Sequence, residues 1–230
     1  MFSLWHIKKR KNSLLAGTVL SLHKRMPPKG RFCKKMIRVF TALCKSLFEK
    51  LTDEDIFNEA TGEFRQYDEK CPRCGTSGKL YPYGDYSRNL VSHNGDETVE
   101  NCVKPLRFKC ASCGATHALL SDIIIPYSPY SLRFKLTVLI AYFKRDMTVV
   151  AVCEHFGIAV STLYSWKQCL LEHKELLRGV LENLKESAIS FLQSLLESSY
   201  FSDFLRDFYQ QHSFSFIQNI SITTAQSVPP

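Results

Sequence analysis

Apolar residues recur at helical spacing near the start of the chain and again through its second half, with a strand-like stretch between. Ile37, Phe40, Leu43, Cys44, Leu47, Phe48 and Leu51 fall three and four apart, which predicts one face of a helix over 36–50. Thr52 is placed to cap a short second helix across 53–57, whose first turn carries Asp53, Glu54 and Asp55 as the helix dipole favours. From Leu80 to Val91 and from Thr98 to Lys109 the residues suit extended chain. Asn94-Gly95 between them is the dipeptide of a tight hairpin. The run from Thr116 to Tyr127 is short, β-branched and closed by Pro126 and Pro129, so it reads as a connecting strand or extended linker.

Helical signals return at Ser131, which is placed to cap 132–143 with apolar positions at Leu132, Leu136, Leu139, Ile140 and Phe143. Thr148 caps a short helix that Gly157 ends, and Ser161 opens the next; Ala151 is small enough for two helices to cross closely. This is a helix-turn-helix pattern, with Ile158, Leu163 and Trp166 as its apolar contacts. Leu177, Leu181, Leu184, Ala188, Phe191 and Leu195 continue as an apolar stripe towards Leu205, interrupted at Ser198-Ser199; it serves as core or as the seam of a homodimer. After Gln210 the chain is expected to be loosely held.

The candidate chemistry lies in the strand-like stretch. Cys71-Pro72-Arg73-Cys74-Gly75 and Cys110-Ala111-Ser112-Cys113-Gly114 are two Cys-x-x-Cys-Gly turns. Four thiolates so paired form the ligand set of one closed structural Zn2+ site per chain, which stabilises a fold and performs no reaction. A redox Cys-x-x-Cys would sit in a βαβ pattern, and this one does not. The gap between the turns exceeds the common 15–20 residues, and an inserted hairpin accommodates it. His93, Cys102 and His117 lie close by and read as surface or packing residues, with a ligand swap by one of them as the alternative. Cys33, Cys44, Cys153 and Cys169 read as small apolar residues. Nine cysteines, an odd number with four in metal-type turns, fit a reducing cytoplasmic setting better than a secreted disulfide framework.

Charge changes the picture mainly at one end. Of the formal +8, residues 1–50 hold 13 Lys/Arg against the single acid Glu49, and the remainder holds 17 bases against 21 acids. The basic character is therefore a property of the leader, residues 1–35. Its bases and short apolar run faintly resemble a signal peptide without a clear cleavage site. It reads also as a mis-assigned start before Met26 or Met36, or as a basic arm that touches nucleic acid. No apolar run reaches the roughly 20 residues that span a bilayer.

Residues 130–170 are modestly basic, and the helix from Ser161 is the candidate reader of a DNA major groove. The residues expected to contact DNA are Ser161, Thr162, Tyr164, Ser165, Lys167 and Gln168, with Arg133 and Lys135 on phosphate. No catalytic constellation is recognised. Two-metal transposition chemistry needs carboxylates spread over a sizeable core, and after Trp166 the aspartates are Asp203 and Asp207, on a helix-like stretch.

The two knuckles, together with Tyr83-Gly84-Asp85-Tyr86-Ser87-Arg88, Thr116-His117-Ala118-Leu119-Leu120, Ile125-Pro126-Tyr127-Ser128 and Ser161-Thr162-Leu163-Tyr164-Ser165-Trp166, resemble a family of bacterial transposase-like proteins. These combine an N-terminal zinc ribbon with a helix-turn-helix and are recorded as a domain of unknown function. The resemblance covers about 65–170, reaching towards 205, and Ser121 stands where a proline is expected. It implies DNA binding in a mobile-element context, as a regulator or a catalytically empty relative, with a transposase or recombinase as partner. The alternative is a zinc-stabilised module that binds protein and no DNA.

The expected architecture is thus mainly α with a small β zinc ribbon (α+β). The leader of 1–35 precedes a ribbon region of 36–128 and a helix-turn-helix at 129–170. A long C-terminal helical segment of 171–209 and a loose tail of 210–230 follow.

Overall fold

The computed structural model describes residues 36–40, 50–95, 97–177, 188–197 and 201–219. The basic leader, residues 41–49 of the first expected helix, Leu181, Leu184, Ser198-Ser199 and 220–230 lie outside them.

Among the described residues there are six strands and six helices. Strand β1 is Met36–Val39, β2 Leu80–Asp85, β3 Arg88–Asn94, β4 Glu97–Val103, β5 Leu106–Cys110 and β6 Thr116–Ser121. Helix α1 is Asp53–Gly62, α2 Leu132–Lys144, α3 Val149–Phe156, α4 Val160–Leu177, α5 Ala188–Glu197 and α6 Phe201–His212. The strands form a four-stranded sheet of order β1-β6-β5-β2 and a separate two-stranded sheet, β3-β4.

This overturns the expectation of a mainly helical chain with a small N-terminal ribbon followed by helices. The cysteine turns lie within the strand region, and the sheet around them recruits chain from well outside it. Met36–Val39 do not begin a helix. They form β1, which runs parallel to β6 with Ile37 opposite Leu119. Of the two readings of the stretch from Thr116, strand holds over 116–121, which is an inner strand paired with β5 on its other side. The long C-terminal helix is also corrected: α5 and α6 are separate elements, packed on each other, with α5 against α2.

Strand β6 is the wall between two cores. Side chains alternate across it. Leu119 faces a small core with Ile37, Cys71, Leu80, Phe108 and Cys110. Leu120 faces the large core, which includes Ile56, Phe57, Ile123 and Ile124 and buried residues from all of α2–α6. Phe214, Phe216 and Ile217 belong to this large core, and Ser215 and Gln218 are buried beside them. Phe216 and Ile217 are as buried as Phe134, so the tail is not loose up to residue 218.

Local signals account for most helix ends. Thr52 and Asp55 form a reciprocal capping box on α1; Ser131 and Thr148 accept from the Phe134 and Ala151 amides at α2 and α3. Gly157 ends α3 with φ 64° and donates to the Cys153 and Glu154 carbonyls. Helix α4 starts at Val160, so Ser161 stands inside its first turn, not at its cap.

The hairpin β3-β4 joins the two parts of the molecule. Its Asn94-Gly95 turn, Gly95 at φ 64°, sets Asn94 opposite Glu97. Val91 exchanges hydrogen bonds with Pro129 and Ser131 just before α2. The His93 ring lies 5.1 Å from Phe156 of α3, and the Thr98 hydroxyl donates to the Phe156 carbonyl. Arg88 donates to the Ile125 and Ser128 carbonyls, and Arg38 to those of Ile124 and Asp122, which clamps the 122–128 passage, buried as far as Pro126.

Candidate metal centre and helix pair

Each cysteine turn folds back on itself through its own backbone. The Gly75 amide donates to the Cys71 carbonyl at 2.8 Å and the Gly114 amide to that of Cys110 at 2.9 Å, with both glycines at positive φ. The Ala111 amide bonds the Lys79 carbonyl, docking the second turn beside the end of the first. As a result one ligand atom from each of Cys71, Cys74, Cys110 and Cys113 lies within 4.8 Å of the other three.

Cys71 Sγ is 3.7 Å from Cys113 Sγ, and Cys74 Sγ is 3.7 Å from Cys110 Sγ. A metal–thiolate bond of about 2.3 Å in a tetrahedron requires a sulfur–sulfur edge of about 3.8 Å. The donor set therefore fits, and the cluster can hold a metal ion. Electrostatics point the same way. The Thr76 hydroxyl and amide pull the Cys74 thiol down to about 6. The Cys113 and Ser112 amides favour the Cys110 thiolate. Cys113 is driven up to about 11: an amide at Ala115 favours its thiolate, but burial and the sulfurs of Cys71, Cys74 and Cys110 outweigh it. Four thiolates this close cannot coexist unless a cation sits among them.

His117, expected from the sequence to be a surface or packing residue, sits against the cluster itself. It is 1% exposed, on β6 opposite Phe108, with Nε2 3.2 Å from Cys71 Sγ. A neutral imidazole protonated on Nε2 donates to that sulfur from outside the four-sulfur set, the position of a residue that orients a ligand. The strand alternation of Thr116-His117-Ala118-Leu119 carries this signal, since it sets His117 on the buried side with Leu119. His93 packs on α3, and Cys102 is exposed on β4.

The second candidate region is the pair α3 and α4. Val149–Phe156 and the first part of α4, Val160–His173, meet at a bend of 102°. No single described helix is long and apolar enough to cross a membrane. Leu163, Trp166, Cys169 and Leu170 face the core, where the Trp166 ring sits 4.9 Å from Tyr130. On the outer side Ser161, Tyr164 and Gln168 are exposed, and Thr162, Ser165 and Lys167 half-buried. The Lys167 ammonium donates to the Tyr142 hydroxyl at 3.0 Å and lies over the Tyr142 and Tyr164 rings. Asn219 donates to Ser165, and Gln168 to Glu172.

Two expected phosphate contacts are elsewhere. Lys135 is 2% exposed, with Nζ 3.4 Å from the Ile217 carbonyl and 5.3 Å from the Trp166 ring; burial brings its pKa down to about 8. It faces the interior and cannot reach DNA. Arg133 donates to the Leu51 carbonyl and pairs at 3.2 Å with Asp53. Burial raises the Asp53 pKa against the pull of Arg133 and Ser131, so Arg133 is the counter-charge of a buried acid. Its role is to join α1 to α2.

Neither the curated proteins nor the solved structures yield a match. One family model does match. Beginning at the first cysteine ligand and ending at the core-facing tryptophan of α4, residues 71–166 are similar to the family described as Domain of unknown function (DUF6431).

Proposed function

We propose that this chain is a zinc-stabilised DNA-binding protein in which α4 enters the major groove and the four cysteines tie together the sheet that carries the helices. The observation that carries this reading is the α3–α4 pair. Its 102° bend falls within the roughly 90–120° of helix-turn-helix units. The outer side of its second helix presents Ser161, Tyr164 and Gln168 to solvent, with Thr162 half-buried beside them, while Leu163 and Trp166 anchor it. Groups of this kind serve base-edge and phosphate contacts, and Lys144, Arg145 and Lys167 supply positive charge beside them.

Zinc is the metal this donor set favours, since four thiolates in a tetrahedron suit it over harder cations. Held by Cys71, Cys74, Cys110 and Cys113, it would act as a cross-link with no open position for catalysis. Metal-bound thiolates suit a reducing compartment such as the cytoplasm. The sequence resemblance to transposase-like proteins supports a role beside a mobile element, in binding or regulation and not in strand transfer.

The test is a gel-shift titration of zinc-loaded protein on duplex DNA from its own locus at low salt. Binding is expected, with at least a tenfold loss in Thr162→Glu and Gln168→Glu, which place like charge against phosphate. No shift in the wild type, with the protein folded, removes this reading. A specific observation favours the protein-contact alternative: Met147, Val150, Val160 and Tyr164 leave exposed apolar surface around the same helix pair. A self-associating chain that ignores duplex DNA is its signature.

A further inference from the structure

Away from the helix pair, the sheet has an open face. Helices cover the Leu120 side of β6, whereas no described helix covers the same side at β2 and β5. Tyr81 lies opposite Lys109 there, and Arg107 projects two residues along. Tyr81 is 42% exposed and Tyr83 50%.

Tyr83 is also placed unusually. Pro82 pairs with Phe108 and Gly84 with Arg107, so Tyr83 is the extra residue of a bulge, followed by Gly84 at φ 110°. A bulge re-aims its side chain. Here the Tyr83 ring comes within 5.2 Å of the Lys109 ammonium and 5.7 Å of the Arg107 guanidinium. Such aromatic surface buries readily in a core, yet here it stands in solvent among cations.

We infer that this face is a stacking platform for unpaired nucleotides of single-stranded DNA, with Tyr81 and Tyr83 taking bases and Lys79, Arg107 and Lys109 the backbone. Charge complementarity decides the occupant. The two strands with the residues that flank them, 79–85 and 104–110, hold four bases, the fourth being Lys104, against the single acid Asp85. An apolar or basic protein partner finds no match in that balance, whereas a polyanion with π-faces matches both features. The choice of DNA over RNA rests on the duplex reading of α4; the platform itself does not.

Fluorescence anisotropy of the full-length, zinc-loaded protein with labelled oligo(dT) of about 15 nucleotides tests this. Removing two stacking rings in Tyr81→Ala/Tyr83→Ala is expected to weaken binding by about tenfold or more, since each stacked base contributes a several-fold factor. Tyr81→Phe/Tyr83→Phe keeps the rings and is expected to bind within about twofold of wild type. Arg107→Gln/Lys109→Gln lowers the salt slope by about 1 to 2. The basic leader is common to all variants, so it cancels. Oligo(dT) affinity unchanged in the alanine variant overturns the platform, as does no oligo(dT) binding at low salt. Equal losses on single strand and duplex overturn it too. Oligo(rU) bound more tightly than oligo(dT) overturns the assignment to DNA. Loss of oligo(dT) binding in the alanine variant alongside a wild type that ignores duplex removes the α4 reading and leaves the platform standing.

Discussion

Lys135 shows how a single side chain can mislead a charge count. It sits three residues after Leu132 and four before Leu139, on the apolar face of its own helix, so its burial was legible from spacing while its charge suggested phosphate. A cation held 2% exposed destabilises the fold, and Lys135→Met is expected to stabilise it by about 1–3 kcal/mol in denaturant titration. An unchanged or lower midpoint counts against this account. The neighbouring His173 accepts from the Ile217 amide through Nδ1, and burial, His212 and Lys135 bring its pKa down to about 4. The unfolded imidazole takes a proton near 6.5 while the folded one stays neutral, so the unfolded state binds more protons between those values. Stability is therefore full above pH 6.5 and falls as pH drops towards 4, by on the order of 3 kcal/mol. His173→Gln is expected to flatten that slope; an identical slope in the variant rejects His173 as its source.

Element boundaries marked by local chemistry were readable, and those decided by distant partners were not. Thr52, Ser131, Thr148 and Gly157 act where their side chains or φ preferences place them. At Gly157 a Cβ would meet nothing within 4 Å, so Gly157→Ala costs only its left-handed backbone, about 1 kcal/mol by thermal or chemical unfolding. A loss several times larger would mean that the α3–α4 turn packs against more than is described. Ile37-Arg38-Val39 alternates as a strand does, but continuation into Phe40 and Leu43 also satisfies helical spacing. Pairing with β6, far along the chain, settled the matter. The Phe214-Ser215-Phe216-Ile217 run is similar: its aromatic content signalled burial, and its position near the end suggested fraying instead.

For the whole molecule, the metal cluster was the most legible feature because four cysteines in paired turns leave few alternative geometries. The architecture around it was not, since no spacing in the chain reveals that one strand divides two cores. That division makes predictions of its own. Cys110→Ser is expected to abolish binding of one metal ion per chain and to unfold the small core around Ile37, Leu80 and Phe108. Metal analysis with circular dichroism checks it, and a variant that keeps both metal and spectrum refutes it. Truncation after His212 removes Phe214, Phe216 and Ile217, each burying side chain worth roughly 1.5–3 kcal/mol, and is expected to yield an aggregating or unfolded product. A soluble truncation with the wild-type melting temperature excludes that account.

The contact between Lys135 and Ile217 spans 82 residues, and that between Arg38 and Ile124 spans 86. Such long closures set an order of assembly during synthesis. When a ribosome has released the chain only as far as Trp166, the small core already has its strands and ligands, but the large core lacks α5, α6 and the 214–217 segment. Its apolar face stays exposed until residue 218 emerges, so the nascent chain is open to misassociation between the release of Trp166 and that of residue 218.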